Sequence, residues 1–295
     1  MKNILKAIIL CFVIICITFT AGCQKPEPVP TGFPVTAAGV TLDAKPQRVV
    51  CLTAGAVDAV KYFVGEDIIV GVCDNANLSS DVMNVGTAAN ADADKIIGLS
   101  CDLVFTNEKL SEAASQKLAL AGVKVAILPV PVYYNELEQY YSNFAKLLFG
   151  TINAESKIAA AMTAVTATAT EAAPSALLIP YTDTVATPDT VMGQLLSCAG
   201  YKNAAEGCVD FIMSKEAIFD AAPQIIFCGK GIKDTLASDP VLSKIPAVLN
   251  NKVYEIDTDA LRLPGNRFAQ VIEDMKAATA ANPAASQSDT SSTGE

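Results

Sequence analysis

The sequence predicts an α/β protein of two lobes, each built on a central parallel sheet of the Rossmann type, joined by a long helix, with a cleft between them. Three observations predict it. Short apolar runs alternate with helical stretches along the body of the chain, as in β-α-β units whose sheets are covered on both faces. The plan occurs twice, and the second half echoes the first in the same order. Between the halves, Leu137, Tyr140, Tyr141, Phe144, Leu147 and Leu148 recur at helical spacing.

Taken in order, Met1 to Ala21 has the layout of an export signal. Lys2 and Lys6 precede an apolar run from Ala7 to Phe19, and Thr20, Ala21 and Gly22 lead to Cys23. The run is shorter than the roughly 20 residues a membrane-spanning helix needs. Thr20-Ala21-Gly22-Cys23 is similar to a bacterial lipobox, whose cysteine is lipid-modified and becomes the new N-terminus. Thr20 stands where an aliphatic residue is usual, and ordinary signal cleavage is the alternative. Residues 1–22 are thus expected to be a lipoprotein signal peptide. Residues 23–34, with Pro26, Pro28, Pro30 and Pro34, read as an extended tether.

The first lobe is placed at 35–132. Its strands are expected at Arg48–Leu52, Ile68–Val72, Leu103–Thr106 and Val123–Leu128, and its helices at Ala56–Val64, Ala93–Leu99 and Ser111–Ala121. A helical bridge at 133–173 is stopped once by Gly150 and resumes from Ala154 to Ala172, just before Pro174. The second lobe, 174–281, has strands at Ala176–Pro180, Gln224–Cys228 and Lys252–Ile256, with helices at Val191–Ala199 and Lys215–Ala221. Leu103-Val104-Phe105 answers Ile225-Ile226-Phe227, Lys124-Val125 answers Lys252-Val253, and the helix ending at Gly65 answers the one ending at Gly200. Residues 282–295, rich in Ser, Thr and Ala, read as a disordered tail.

Composition narrows the chemistry. The 295 residues carry a net charge of −10, which argues against nucleic-acid binding. No histidine is present, excluding Ser-His-Asp and Cys-His catalysis and every His-containing metal site. Tryptophan is also absent. Beyond Cys23 stand Cys51, Cys73, Cys101, Cys198, Cys208 and Cys228, with no CxxC pair; thiols and disulfides are both open. Cys51, Cys73 and Cys228 could ligate a soft metal, but buried thiols are the better expectation, so no metal site and no cofactor are predicted.

Several segments together resemble the class III substrate-binding proteins of ABC importers, which serve ferric siderophores, haem and corrinoids. They are Pro46-Gln47-Arg48-Val49-Val50-Cys51-Leu52, Val85-Gly86 leading to Asp94, Asp102-Leu103-Val104, and Gly193-Gln194-Leu195-Leu196-Ser197-Cys198-Ala199-Gly200 with Asn203-Ala204. Ile245-Pro246-Ala247-Val248 before Lys252-Val253-Tyr254 completes the set, which spans roughly Pro34 to Lys276. Cys101 replaces a proline usual in the family, and Asp94 stands where Glu is commoner. The missing Trp and His remove favoured contacts of corrinoid and haem binders. The resemblance implies capture of a metal chelate, either a ferric siderophore or other iron complex or a corrinoid, and delivery to an ABC permease dimer with its ATPase. It also implies that Asp94 and Glu216, one acid per lobe, meet arginines on the two permease subunits. The protein is expected to be an extracytoplasmic monomer, touching the bacterial cell membrane through its lipid anchor alone.

Ligands of parallel α/β sheets bind beyond the carboxyl ends of the strands, so a ligand cleft between the lobes should be lined by loops. The candidate contacts are Thr53, Ala54, Asp74, Asn107, Tyr133, Tyr181, Asp183, Lys230, Arg262 and Arg267. Only three arginines occur, and two of them flank Leu263-Pro264-Gly265-Asn266. Guanidinium groups there suit an anionic part of a ligand, although pairing with Asp257 or Asp259 is the alternative. No catalytic residue is expected. A non-transporting sensor or adhesion lipoprotein is the second reading. A cysteine-dependent enzyme is the third, disfavoured because only Lys or a carboxylate could activate the thiol.

Overall fold

The computed structural model describes residues 32–73, 78 and 82–280. The signal segment, Cys23, most of the tether, Asp74 and the 282–295 tail lie outside the described residues.

A small antiparallel hairpin, β1 (Val35–Ala37) and β2 (Val40–Leu42), opens the body. There follow β3 (Val49–Cys51), α1 (Ala54–Val64), β4 (Ile69–Val72), β5 (Met83–Asn84), α2 (Ala93–Gly98), β6 (Leu103–Thr106), α3 (Glu112–Leu120) and β7 (Lys124–Ile127). The bridge α4 spans Tyr134–Ala164. The second half contains β8 (Ser175–Ile179), α5 (Val191–Cys198), β9 (Lys202–Asn203), α6 (Lys215–Ala221), β10 (Ile225–Cys228), α7 (Ile232–Ser238), α8 (Pro246–Leu249), β11 (Val253–Glu255) and α9 (Asn266–Ala280).

The strands form two all-parallel sheets, ordered β5-β4-β3-β6-β7 and β11-β10-β8-β9. Read from one side, β4-β3-β6-β7 and β9-β8-β10-β11 have the same topology, with β5 an extra edge. The echoes in the sequence fall on equivalent elements: β6 with β10, β7 with β11, α1 with α5. Phe105 and Phe227, which they align, are both fully buried.

Alternation along the strands divides the core into three layers. Val49, Cys51, Leu103 and Phe105 face α1 and α4, while Val50, Leu52 and Val104 face α2 and α3. In the second sheet Ala176, Leu178 and Phe227 join α5 and α9, while Leu177, Ile179 and Ile226 join α6, α7 and α8. The inner layer is continuous through both halves, and the described residues form one compact unit.

Two expectations need correction. Gly150 does interrupt the bridge, at φ 73° and ψ 173°, a conformation reserved for glycine. The second half of the bridge, however, ends at Ala164 and not at Ala172. Beyond Val165 the chain turns to bond the end of α5. Thr168 and Ala169 donate their N–H groups to the Ser197 carbonyl, and the Thr168 hydroxyl donates to Cys198 O at 3.0 Å. Those bonds give further partners to carbonyls in the last turn of α5. The second correction is α9, placed in no helix by the sequence reading, which packs against both α1 and α5.

Candidate functional site

Loops beyond the carboxyl ends of the strands enclose a pocket of about 290 Å³. Val130, Pro131 and Val132 come from the segment after β7, Tyr181 and Thr184 from the turn after β8, and Val191 and Met192 from the start of α5. Phe211, Leu261 and Arg262 complete the wall. Both lobes therefore contribute.

Local bonding explains why these segments stay in place. Thr190 caps α5 by accepting from Gly193 N–H at 3.0 Å, and its hydroxyl donates to Thr187 O at 2.7 Å. A Cβ on Gly193 would collide with the Thr187 carbonyl. The buried Asn203 side chain donates to Ala186 O and accepts from Ala205 N–H, each at 2.9 Å. Two main-chain bonds join the bridge to the segment before α5: Val191 N–H to Val132 O and Tyr134 N–H to Asp189 O, both 2.9 Å. On the first lobe, a Cβ on Gly55 would lie 3.7 Å from the Val130 side chain and 3.9 Å from the Arg262 carbonyl.

The walls are chiefly apolar, and the Arg262 guanidinium is the one charged group among them. It is exposed and makes no ion pair among the described residues. Neither Asp257 nor Asp259 pairs with it; the Asp257 carboxylate accepts from the Asp259 and Ala260 N–H groups at 3.2 and 3.3 Å, in the turn that carries Arg262. A single cation over an apolar floor suits a ligand surface that is greasy with an anionic edge.

Of the anticipated contacts, Tyr181 and Arg262 line the pocket. Thr53 caps α1, accepting from Ala56 N–H at 3.2 Å, and Ala54 begins that helix beside Gly55. Asn107 follows β6, and its Oδ1 is buried with no hydrogen-bond partner. Tyr133 precedes α4 and donates its hydroxyl to Asp210 Oδ1 at 2.9 Å. Asp183 is exposed at φ 62°, inside a turn closed by the Thr184 N–H to Tyr181 O bond of 3.1 Å. Lys230 is exposed in the turn between β10 and α7, apart from the pocket walls. Arg267 departs from its expected loop: it lies in the first turn of α9, where its N–H donates to Asp58 Oδ2 at 3.1 Å. The Asp58 carboxylate also accepts from Asn266 N–H, so an acid on α1 caps α9 from outside it.

The loops at 130–134, 181–184 and 261–267 were expected at the cleft; the wall residues missed were Val191, Met192 and, above all, Phe211. A search for polar ligand groups passes over such side chains. Their signal was apolar residues standing in loops, as in Val209-Asp210-Phe211-Ile212.

The six cysteines within the described residues are thiols, none of them joined in a disulfide. Burial raises the pKa of Cys228 to about 12 and of Cys101 and Cys198 to about 11, and pushes Cys51 higher still. Protonated thiols are poor nucleophiles and poor metal ligands. A wider groove of about 570 Å³ borders β2, α3 and β7. It flanks an edge strand of the first lobe and takes nothing from the second.

Twin parallel sheets, a broken helical bridge and a pocket walled by loops of both lobes define a two-lobed binding protein. The family model described as periplasmic binding protein matches residues 49–260, and the chain belongs to that family. It is 25% identical over 268 residues to an uncharacterized ABC transporter substrate-binding lipoprotein, YvrC, of Bacillus subtilis, covering 82% of this chain and 84% of that one. The periplasmic heme-binding protein HutB of Vibrio cholerae has the same fold, with a TM-score of 0.63 and 19% identity over 78% of this chain and 98% of its own. So does the petrobactin-binding protein YclQ of Bacillus subtilis, with a TM-score of 0.62 and 18% identity over 81% and 94%.

Proposed function

We propose that this protein is the substrate-binding lipoprotein of an ABC importer, anchored through Cys23 outside the bacterial cell membrane. It captures a metal chelate between its lobes and hands it to a permease driven by an ATPase. The observation that carries this reading is the interlobe pocket, with apolar walls and the unpaired Arg262 guanidinium at its edge. The family supports transport, and fold neighbours that bind haem and petrobactin support a chelate cargo. Arg262 would meet an anionic group of the chelate, and Tyr181 would lie against its flat face.

For docking, the equivalent helices α2 and α6 each present an exposed acid in the first turn, Asp94 and Glu216. Asp94 pairs with Lys117, whereas Glu216 makes no ion pair among the described residues. Glu216 is therefore the readier partner for a permease arginine.

With no tryptophan, calorimetric unfolding is the direct test. The purified protein would be scanned with haemin, ferric catecholates, ferric hydroxamates, cobalamin and cobinamide, with zinc and molybdate as controls. A ligand at about 100 times its Kd should add about 2.7 kcal/mol, a clear rise in Tm. Arg262→Ala should abolish the rise for an anionic chelate, while Glu216→Lys should leave binding intact and stop uptake. A folded protein that answers to none of the chelates would refute the cargo class.

A further inference from the structure

Resting on that reading of the pocket, we propose that the Tyr133–Asp210 hydrogen bond is a latch. It fixes the width of the pocket and so the size of ligand surface the pocket accepts.

Asp210 and Phe211 are consecutive left-handed residues, at φ 58° and 61°, and neither is glycine. A bulky aromatic is an outlier in this region, and such strain persists only where surrounding bonds over-determine it. Those bonds are present. Asp210 N–H donates to Asp189 Oδ2 and Phe211 N–H to Thr187 Oγ1, each at 3.2 Å, and Val185 N–H donates to Phe211 O at 3.1 Å. The Thr187 hydroxyl donates to Asp189 Oδ1 at 2.6 Å, which fixes both acceptors. Phe211 also packs against the inner core, whereas the flanking Val209 and Ile212 are 56% and 72% exposed.

All of those bonds lie within the second lobe. The Tyr133 hydroxyl reaches the same turn from the bridge, at 2.9 Å from Asp210 Oδ1. Tyr133 directly follows Val132, and Phe211 directly follows Asp210; Val132 and Phe211 both line the pocket. The main-chain bonds of Val132 and Tyr134 hold this wall to the start of α5, and the phenol adds the tie to the Asp210–Phe211 turn. With the tie made, the pocket has a volume of about 290 Å³. A larger surface enters only when the tie yields and the strained turn relaxes outward. Tyr133 is on this account a positioning residue that sets selectivity without touching the cargo.

The test uses full-length wild type, Tyr133→Phe, Asp210→Asn and Arg262→Ala. Amide hydrogen exchange is followed first, without ligand. Tyr133→Phe should speed exchange at Asp210, Phe211 and Val185 by tenfold or more, with β8, β10 and Tm unchanged. Asp210→Asn retains an acceptor and should exchange like wild type. Fluorescence titration then compares two probes of one chemistry, the naphthalene sulfonate ANS and its doubled form bis-ANS. Tyr133→Phe should raise affinity for bis-ANS relative to ANS at least fivefold, and Arg262→Ala should weaken both. Unchanged exchange at those three amides overturns the latch, and so does faster exchange with an unchanged probe ratio. If wild type binds neither probe, the pocket reading fails by itself, and exchange still decides whether the tie holds the turn.

Discussion

Gly193 carries more of the site than its size suggests. In the first turn of α5 it lets the Thr187 carbonyl press against the helix, and that carbonyl accepts the Thr190 hydroxyl that also caps the helix. Gly193→Ala would drive a methyl group into backbone that cannot move without shifting Thr187, Thr190 and Met192 together. We expect a loss of about 2–3 kcal/mol, the cost of overpacking a rigid site, read as a fall in Tm by calorimetry. A Tm within a degree of wild type would mean that the loop is softer than its bonding implies. Asn203 belongs to the same device, pinning Ala186 and Ala205 from one buried amide. Gly193 and Asn203 both lie in segments that carried the family resemblance, and their roles there are physical. They were visible in the sequence as residue types in order, but not as causes, because what they touch lies in loops between the matched segments. Phe211 was invisible for the opposite reason: it has the composition of core and the position of a loop.

Among elements, the strands and the helices that cover them were legible because both patterns are strong: largely apolar strands of three to five residues, and helices with one buried stripe. The end of α4 was not, because Ala and Thr after Ala164 keep helical composition while their N–H groups find better acceptors on α5. Helix α9 was overlooked even though Phe268, Val271, Ile272 and Met275 fall on one face. Its start has no capping side chain of its own; the cap is Asp58, on α1. Gly265 permits that approach, since a Cβ there would clash with the Asp58 main chain. Burial raises the Asp58 pKa above the usual 3.8, opposed in part by the Arg267 N–H and charge. Because the folded value is raised, the stability linked to protonated Asp58 is fully present below about pH 4 and lost as pH rises through the folded pKa. Asp58→Asn keeps an acceptor without a charge, so its Tm should gain on wild type as pH climbs from 4 to 7. Asp58→Ala removes the cap and should cost about 0.5–2 kcal/mol throughout. Parallel Tm-against-pH curves for wild type and Asp58→Asn would show that the carboxylate is solvated after all.

For the whole molecule, the question is whether two lobes make two folding units. Length and duplication suggest that they could, since either half approaches the size of a small domain. The packing argues otherwise. The inner hydrophobic layer runs without a break from β3 and β6 through α1 and α4 to β8, α5 and α9. The chain crosses between the halves through the bridge, and α9 returns to α1 under the Asp58 cap. An aromatic cluster centred on Phe144, with Phe105 stacked at 4.8 Å and Tyr140 at 5.0 Å, sits in that shared layer. Separating the lobes would expose this layer on both sides, leaving each half only the outer layer beyond its own sheet. Urea unfolding should therefore be a single transition. Tyrosine fluorescence, weighted to the first half and bridge by Tyr62, Tyr133, Tyr134, Tyr140 and Tyr141, should coincide with far-UV circular dichroism, which reports both halves. Phe144→Ala should shift both curves together by about 3–5 kcal/mol. Two separated midpoints, or a fluorescence change that runs ahead of the dichroism in that variant, would establish lobes that fold alone. A single transition carries a consequence for transport. A body with one core can rock only within the slack of its side chains, so selection among ligands falls to the pocket walls and to the ties between them.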